Sequence, residues 1–405
     1  MHTLSSGNRI VRALKAKKTI LIVIEHYLPG TRAGGPVRSI SNLVEALGDT
    51  FDFCILTCDH DNDETETYPG IEAGVWYPVG KAQVRYLNAR ERQLFALGDI
   101  IRRTPHDLLL VESILERMSI FALVLRRLGR LGRVPILITP RGHLGAGALA
   151  QKFAKKASFL AVVRPLGLYN GLHWYATSEA EREDIVREFG PGEAPRIRVI
   201  PNLPSHATVA GYIVRPPKCA GALRVVFVSR ISRKKNLHFA LDSLRRLHGN
   251  VEFDIYGPIE DAHYWAECQS IIATLPTHIR VQYRGFVPFD QTIAVISGYH
   301  LFYLPTLHEN YGHVIAEALS AGCPVLISDQ TPWNEIEQFG AGWALALEDR
   351  MSFTRVLNQV CAMDESDFSA QLERVADYMR QHTAKSETAA LFSALFKELI
   401  MHQGL

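Results

Sequence analysis

The chain has 405 residues, of which 47% are hydrophobic and 21% are charged, and its formal net charge is +2. This length exceeds what one ordinary hydrophobic core holds, so it predicts two domains of roughly 200 residues each. The composition excludes extensive disorder, and the balanced charge excludes a general affinity for nucleic acid. Any anion site must therefore be built locally.

The cysteines and the apolar segments indicate the expected surroundings of the protein. Six cysteines are scattered along the chain without a CxxC pair, which predicts reduced thiols in a cytoplasmic protein. No run of about 18 apolar residues occurs, so we expect no membrane-spanning helix. Segment 148–168 combines apolar residues with Lys152, Lys155, Lys156 and Arg164. Two interpretations stay open: peripheral contact with the inner face of a membrane through this segment, and a core helix with a solvated basic face.

The first half of the chain alternates short β-branched runs with segments of helical period. Continuous apolar strands between amphipathic helices are typical of parallel βαβ units. Strands are predicted at 19–25, 51–57, 107–111, 134–139, 172–176 and 197–200, with helices at 36–48, 90–103, 115–129, 148–168 and 178–189.

The second half starts the same pattern again. Strands are predicted at 223–229, 251–256, 279–283, 300–304 and 324–328, with helices at 235–248, 260–274, 288–297, 312–321 and beyond 350. Between the halves, proline and glycine accumulate as in a linker. The sequence therefore predicts an α/β protein of two doubly wound domains facing each other across a cleft. The predicted divisions are an N-terminal domain at 1–205, a linker at 206–221, a C-terminal domain at 222–380 and a C-terminal helix at 381–405, which we expect to pack back on the first domain.

Two cations follow the first strand of the second half. Arg230 comes directly after that strand, and Lys235 opens the next helix. Because ligands of open parallel sheets bind beyond the carboxyl ends of the strands, this pair is expected to be exposed at a turn and to bind a diphosphate. The alternative is a solvated basic turn.

A second group of polar residues follows the strand that ends at Leu304. The segment reads HENYGHVIAEAL and holds Glu309 and Glu317, with Gly312 at the start of a predicted helix. Backbone N–H groups at that helix start would cradle a phosphate, and Gly312 would permit close approach. The alternative is a helix whose glutamates are solvated and complement its N-terminal charge.

Taken together, the two groups resemble the nucleotide-sugar site of glycosyltransferase family 4. Arg230 and Lys235 precede the segment HENYGHVIAEALSAGCPVLIS, whose glutamate spacing and trailing strand match the family. The first half agrees, because RAGGPVRSI resembles the family's glycine loop, and ITPRGHLGAGAL and WYATSEAERED resemble acceptor-domain motifs. The resemblance spans nearly the whole chain and implies the GT-B fold with two Rossmann-like domains.

The resemblance also implies a role for each matching residue. Arg230 and Lys235 would stabilise the departing diphosphate, and Glu309 would contact the donor sugar. Glu317 would hold the ribose, and His143 would lie near the sugar or acceptor, although a purely structural role for this histidine stays open. The remaining binding residues would be the phosphate-loop residues Asn310, Tyr311 and Gly312, the nucleobase-binding residues Phe286 and Val287, and Gly35 opposite them.

No metal and no other cofactor are expected, because two fixed cations and helix N–H groups supply the charge that a metal would otherwise provide. The acidic run from Asp59 to Glu64 fails as a calcium loop, since Glu64 stands where such a loop needs glycine. We interpret it as an exposed acidic loop.

The resemblance implies retaining transfer of a hexosyl group from a nucleotide-diphosphate sugar to a glycan or lipid-linked glycan acceptor in polysaccharide biosynthesis. It also implies that the N-terminal domain at 1–205 binds the acceptor and that the domain at 222–380 binds the nucleotide sugar, with a hinge motion about 205–220 on donor binding. Two alternatives stay open: a nucleotide-sugar epimerase of the same architecture, and a non-catalytic sugar-nucleotide-binding subunit. The sequence does not determine the donor sugar, its base, the acceptor or the oligomeric state.

Overall fold

The structure is a computed structural model that describes residues 17–30, 32–62, 64–145, 161, 163–203, 214–382 and 385–402. The chain divides into two compact units. One comprises Met1–Leu203 with Ser386–Leu405, and the other comprises Pro204–Lys385. Among the described residues, no helix combines the length and the apolar character that crossing a bilayer requires.

The first unit is built on an eight-stranded sheet in the order β3-β4-β2-β1-β5-β6-β7-β8. All neighbours pair in parallel except β3 and β4, which are antiparallel. The strands are β1 (Lys18–Val23), β2 (Phe51–Cys58), β3 (Trp76–Val79), β4 (Ala82–Leu87), β5 (Leu108–Glu112), β6 (Ile136–Thr139), β7 (His173–Ala176) and β8 (Ile197–Val199).

Helices cover both faces of this sheet, because the central strands are apolar on both sides. Ile20 and Leu21 of β1 are both fully buried, yet they belong to two different hydrophobic clusters. Successive residues of a strand point to opposite faces, so each cluster occupies one face. The helices of this unit include α1 (Gly35–Leu47), α2 (Leu94–Arg103), α3 (Arg117–Arg127) and α4 (Glu179–Phe189).

The second unit contains a fully parallel sheet of six strands in the order β11-β10-β9-β12-β13-β14. These strands are β9 (Ala222–Val228), β10 (Asn250–Tyr256), β11 (Ile279–Gly285), β12 (Leu301–Leu304), β13 (Val325–Ser328) and β14 (Gly342–Leu345). The helices are α5 (Leu237–Leu244), α6 (Ala262–Ile272), α7 (Phe289–Ser297), α8 (His313–Ser320), α9 (Arg350–Ala362) and α10 (Glu365–His382).

The last helix, α11 (Lys385–Met401), belongs to the first unit. Its apolar residues share one cluster with β1 and β2. The ring of Phe396 is fully buried and meets that of Phe51 edge-on, with 5.5 Å between the ring centroids. The C-terminal segment therefore completes the core of the N-terminal unit.

Residues 214–221, which the sequence assigns to a linker, pack on the second unit. The ammonium group of Lys218 is buried and donates to the carbonyl oxygen of Cys361 at 3.0 Å. His300 Nε2 lies 3.2 Å from the carbonyl oxygen of Pro216. These contacts make residues 214–221 part of the second unit, whereas residues 204–213 lie outside the described residues.

Three strands of the structure were not predicted from the sequence. β3 contains Pro78 and lies at a sheet edge, β4 alternates polar with apolar residues, and β14 is a four-residue edge strand. None has the continuous apolar run of a central parallel strand. The helix predicted at 90–103 begins only at Leu94, because the Asn88 side chain accepts hydrogen bonds from the N–H groups of Arg90 and Glu91 and forms a turn. Most of segment 148–168 lies outside the described residues.

Replacing Phe396 with alanine tests the assignment of α11 to the first core. We expect Phe396→Ala to lower the free energy of unfolding by about 3–5 kcal/mol, because it removes a fully buried ring. Phe95→Ala is the matched control, since this ring is 59% exposed, and we expect a change below about 1 kcal/mol. Urea unfolding measures both values, and equal effects would contradict the assignment.

Candidate active site

Two loops of the second unit leave its sheet at the same edge. β9 and β12 are parallel neighbours, so the loops that follow Val228 and Leu304 both start at the carboxyl edge, where open parallel sheets bind ligands. The first loop carries Arg230 and a short 3₁₀ turn over Arg233–Lys235. The second leads into α8.

Backbone hydrogen bonds tie the two loops together. The carbonyl oxygen of Lys234 accepts from the N–H of Leu307 at 2.8 Å and from the hydroxyl of Thr306 at 3.1 Å. Thr306 is itself fully buried. These hydrogen bonds hold the two loops side by side. Lys235 follows Lys234 and Glu309 follows Leu307 closely, so Lys235 lies beside Glu309.

Lys235 and Glu309 form a nearly buried ion pair. The ammonium group of Lys235 donates to Glu309 Oε1, and the two side chains are 11% and 12% exposed. The expectation that Lys235 is exposed at its turn is therefore wrong, because the loop of β12 covers it. Burial alone would raise the pKa of Glu309, but the charge and hydrogen bond of Lys235, with Lys234 and His308 nearby, hold that pKa below its ordinary value. Glu309 is consequently ionised at neutral pH.

Arg230 differs from Lys235 in both exposure and partner. Its side chain is 42% exposed and lies 3.2 Å from the carboxylate of Glu260, which is 44% exposed. Surface pairs of this kind contribute little to stability and exchange readily with solvent ions. Both sequence-predicted cations therefore carry a carboxylate partner, but only that of Arg230 is easily displaced.

The start of α8 requires glycine at position 312. Gly312 is the N-cap residue with φ +79°, and a Cβ there would lie 2.8 Å from Ile315 Cδ1. Beside it, the indole N–H of Trp333 donates to the carbonyl oxygen of Tyr311. Trp333, in the loop after β13, is a neighbour of the phosphate loop that no sequence motif identified.

Glu317, the residue predicted to bind the ribose, is buried inside α8. It is 4% exposed, and the pKa of Tyr311 is raised first by burial of that hydroxyl and then by the Glu317 charge. The Tyr311 hydroxyl therefore stays protonated near this carboxylate, and Asn310 is half-buried in the same loop.

The predicted nucleobase residues follow β11 and have different surroundings. Phe286 is 47% exposed, whereas Val287 is 8% exposed and packs in the hydrophobic core. The Val287 side chain therefore packs in the core. Of these two side chains, the Phe286 ring is the one accessible to a ligand. β11 lies three positions from β12 in the sheet, which corresponds to about 14 Å at 4.8 Å per strand.

In the first unit, the glycine loop and the PRGH turn also follow strands. Gly35 is the first residue of α1, after Gly34 at φ +71°, and a Cβ on either would meet no atom within 4 Å. His143 Nδ1 lies 3.1 Å from the hydroxyl of Ser113. Ser113 and Arg141 both have positive φ, of 71° and 52°, a strained backbone that surrounding contacts must stabilise.

A buried ion pair provides that stabilisation. Arg141 donates to both carboxylate oxygens of Glu112 at 2.7 Å, and it also donates to Asn202 at 2.8 Å. Burial alone would lower the pKa of Arg141, but the charge and hydrogen bonds of Glu112, with Tyr175 and Glu181 nearby, together raise that pKa, so the guanidinium remains charged. The sequence analysis missed this pair. Glu112 ends β5 and Arg141 follows β6 after Pro140, but no local pattern shows that these two strands are neighbours.

Asp59 and Asp61, in the acidic run after β2, are each 7% exposed, so the interpretation of this run as an exposed loop is wrong for these two residues. The Asp61 carboxylate accepts from the N–H groups of Asn62 and Arg32 at 2.7 and 3.2 Å, and Asp59 lies 2.9 Å from His60 Nδ1. Among the described residues of the whole chain, no group of three or more histidine, cysteine, aspartate or glutamate residues is arranged to hold a metal ion.

Comparison with known families agrees with this architecture in both units. The model of "Glycosyl transferases group 1" matches residues 217–378, and that of "Glycosyl transferase 4-like domain" matches residues 34–203. The chain belongs to the GT4-like glycosyltransferase family. The family resemblance drawn from the sequence is thereby confirmed.

Several curated relatives of this glycosyltransferase chain come from polysaccharide biosynthesis. The putative colanic acid biosynthesis glycosyltransferase WcaL of Salmonella typhimurium is 22% identical over 43% of this chain and 45% of its own length. The amylovoran biosynthesis glycosyltransferase AmsK of Erwinia amylovora is 26% identical, with the same shares of the two chains. The chain thus spans less than half the length of these relatives.

Solved structures show that this glycosyltransferase chain has the GT-B fold. Anabaena Alr3699/HepE, in complex with UDP and glucose, superposes with a TM-score of 0.69 over 94% of this chain and 100% of the other, at 16% identity. A sucrose-phosphate synthase from Thermosynechococcus elongatus gives the same TM-score over 95% and 100%, at 15% identity. The predicted fold class is confirmed.

Removal of the Glu309 charge tests the buried pair. We expect Glu309→Gln to lower the free energy of unfolding by about 3 kcal/mol, because the Lys235 charge then stays buried without its counter-ion. Glu260→Gln, at the exposed pair, is the matched control and should cost less than about 1 kcal/mol. Denaturant unfolding at neutral pH compares them, and a cost as small for Glu309→Gln as for the control would contradict a buried pair.

The same variant has a predicted pH dependence. A carboxylate whose pKa is lowered on folding stabilises the fold above its unfolded value, and this stabilisation is lost as the pH falls through the folded value. The stability difference between wild type and Glu309→Gln should therefore be largest above pH 4.5, the ordinary value for Glu309, and shrink at lower pH. A difference that grows on acidification would exclude this origin.

Proposed function

We propose that the chain transfers a hexosyl group from a nucleotide-diphosphate sugar to a glycan or lipid-linked glycan, with retention at the anomeric carbon, as a step of polysaccharide assembly. The observation that carries this proposal is the arrangement of Lys235, Glu309 and Arg230 on loops that leave the carboxyl edge of the second sheet. The family membership and the polysaccharide relatives support the reaction class, and the UDP and glucose bound by Alr3699/HepE make UDP-glucose the first donor to test.

The arrangement suits departure of a nucleoside diphosphate. Negative charge grows on the diphosphate as the bond to the sugar breaks, and fixed cations with helix N–H groups stabilise that charge without reorganising. Lys235 is held in place by Glu309, while Arg230 is free to leave Glu260 for a phosphate oxygen. Each cation therefore has a separate part: Lys235 is preorganised, and Arg230 is recruited by the donor.

In this proposal, Glu309 also contacts the donor sugar. Its lowered pKa keeps it ionised, so its carboxylate accepts hydrogen bonds and can orient sugar hydroxyls near the reacting carbon. Glu317 would hold the ribose, and the exposed Phe286 ring would hold the base. His143, fixed by Ser113, would position the sugar or the acceptor.

Replacing Arg230 with alanine should lower the rate of transfer on the order of 100-fold, since it removes one donor of charge stabilisation. Arg233→Ala is the matched control, because Arg233 lies on the same turn, is exposed and pairs with Glu267 instead. Both variants remove one positive charge. Release of UDP from UDP-glucose in the presence of glycan acceptors measures the rates, and equal losses would contradict a specific role for Arg230.

The metal-free expectation is tested by chelation. If Lys235 and Arg230 supply the stabilising charge, EDTA should leave the rate of donor turnover unchanged. Strict dependence on added Mg²⁺ or Mn²⁺ would overturn this part of the proposal.

A non-catalytic sugar-nucleotide-binding subunit and an epimerase are the alternatives. Tight nucleotide binding without turnover of any donor in a panel would favour the subunit, and conversion of the donor sugar without its transfer would favour the epimerase. Formation of a glycosylated acceptor, detected by mass spectrometry, supports the transferase.

A further inference from the structure

One face of the first unit combines positive charge with exposed apolar side chains. α2 and α3 end here, and the loop after α3 leads into the amino end of β6. We call it the arginine face, defined by Arg102, Arg103, Arg126, Arg127, Arg130 and Arg133. The candidate site residues of this unit follow the carboxyl ends of strands, so the arginine face lies at the opposite edge of the sheet.

Three large apolar side chains accompany these arginines. Phe95, Leu128 and Leu166 are 59%, 58% and 61% exposed. The guanidinium of Arg130 lies 5.2 Å from the centroid of the Phe95 ring, and Arg127 Nε donates to the carbonyl oxygen of Leu166 at 3.3 Å. Isolated exposed leucines are ordinary, but a group of them among arginines indicates an interaction surface.

The surface is continuous rather than a set of separate positions. Phe95 and Arg130 line one shallow depression, and Arg127 lines the next. The two depressions share Leu131 and Gly132. The two depressions are therefore adjacent, which places Phe95, Arg127 and Arg130 on one stretch of the surface.

Structural roles account for only some of the arginines. Arginines in the last turn of a helix complement the helix dipole, and Arg126 also donates to the carbonyl oxygens of Asn170 and Gly171 at 3.0 and 3.1 Å. Arg130 lies beyond the helix end. Within the described part of the chain, Arg103, Arg127 and Arg130 form no ion pair. Their charge is left for a partner.

We propose that the arginine face docks on the surface of an anionic phospholipid bilayer. Lipid phosphates complement the unpaired guanidinium groups, and Phe95, Leu128 and Leu166 enter the boundary between headgroups and acyl chains. Exposed leucines have no comparable counterpart on a nucleic acid backbone, which favours the bilayer. Docking there leaves the carboxyl edge of the same sheet uncovered, and it does not depend on the transfer reaction proposed above.

Vesicle binding by the full chain tests the proposal. We expect the chain to sediment with vesicles of phosphatidylcholine and phosphatidylglycerol, to remain in solution with phosphatidylcholine alone, and to be released at high salt. The double variant Arg127→Glu and Arg130→Glu should weaken binding on the order of tenfold or more. The matched control, Arg280→Glu with Arg355→Glu, makes the same charge change at exposed positions of the second unit and should bind as wild type does.

Further variants separate insertion from simple attraction. Leu128→Ser with Leu166→Ser keeps every charge, and we expect it to weaken binding at unchanged salt. Circular dichroism of each variant checks that it folds. If the wild-type chain does not bind anionic vesicles, the proposal is overturned. The same holds if a protein partner binds this face and the vesicles do not. Equal loss in the control, or binding that the arginine variant retains, would overturn it as well.

Discussion

The candidate site depends on one interaction, the nearly buried ion pair between Lys235 and Glu309. Burying two charges costs free energy that their attraction offsets only when the geometry is well fixed. Here the fixing comes from backbone, because the Lys234 carbonyl oxygen accepts from both Leu307 and Thr306 and holds the two loops together. The pair is therefore a consequence of β9 and β12 being neighbours in the sheet.

Lys235 and Arg230 differ in how firmly their carboxylate partners hold them. Lys235 is held by a nearly buried carboxylate, so under the proposed function a diphosphate would find it already positioned. Arg230 is held by an exposed carboxylate, Glu260, so a diphosphate would compete for it with only a small loss. The edge thus offers one nearly buried and one exposed positive charge, and both lie on the loop that follows β9.

Sequence patterns predicted the parts of this fold that depend on continuous apolar strands. The central strands were found because such runs have few alternatives, and strand-end positions placed Arg230, Lys235 and Glu309 at one edge. The strands β3, β4 and β14 were missed, because short or alternating edge strands lack that signal. The burial of Lys235 and the Glu112–Arg141 pair were missed for another reason. Both depend on which loops and strands become neighbours, and no local pattern encodes that.

We propose that the carboxyl edge of the second sheet holds the donor diphosphate. A crystal structure of the full chain with UDP bound tests it most directly. The account predicts phosphate oxygens within hydrogen-bond distance of Lys235 Nζ and of the Arg230 guanidinium, with Arg230 released from Glu260. A diphosphate bound elsewhere, with the Lys235–Glu309 and Arg230–Glu260 pairs unchanged and facing solvent, would contradict it.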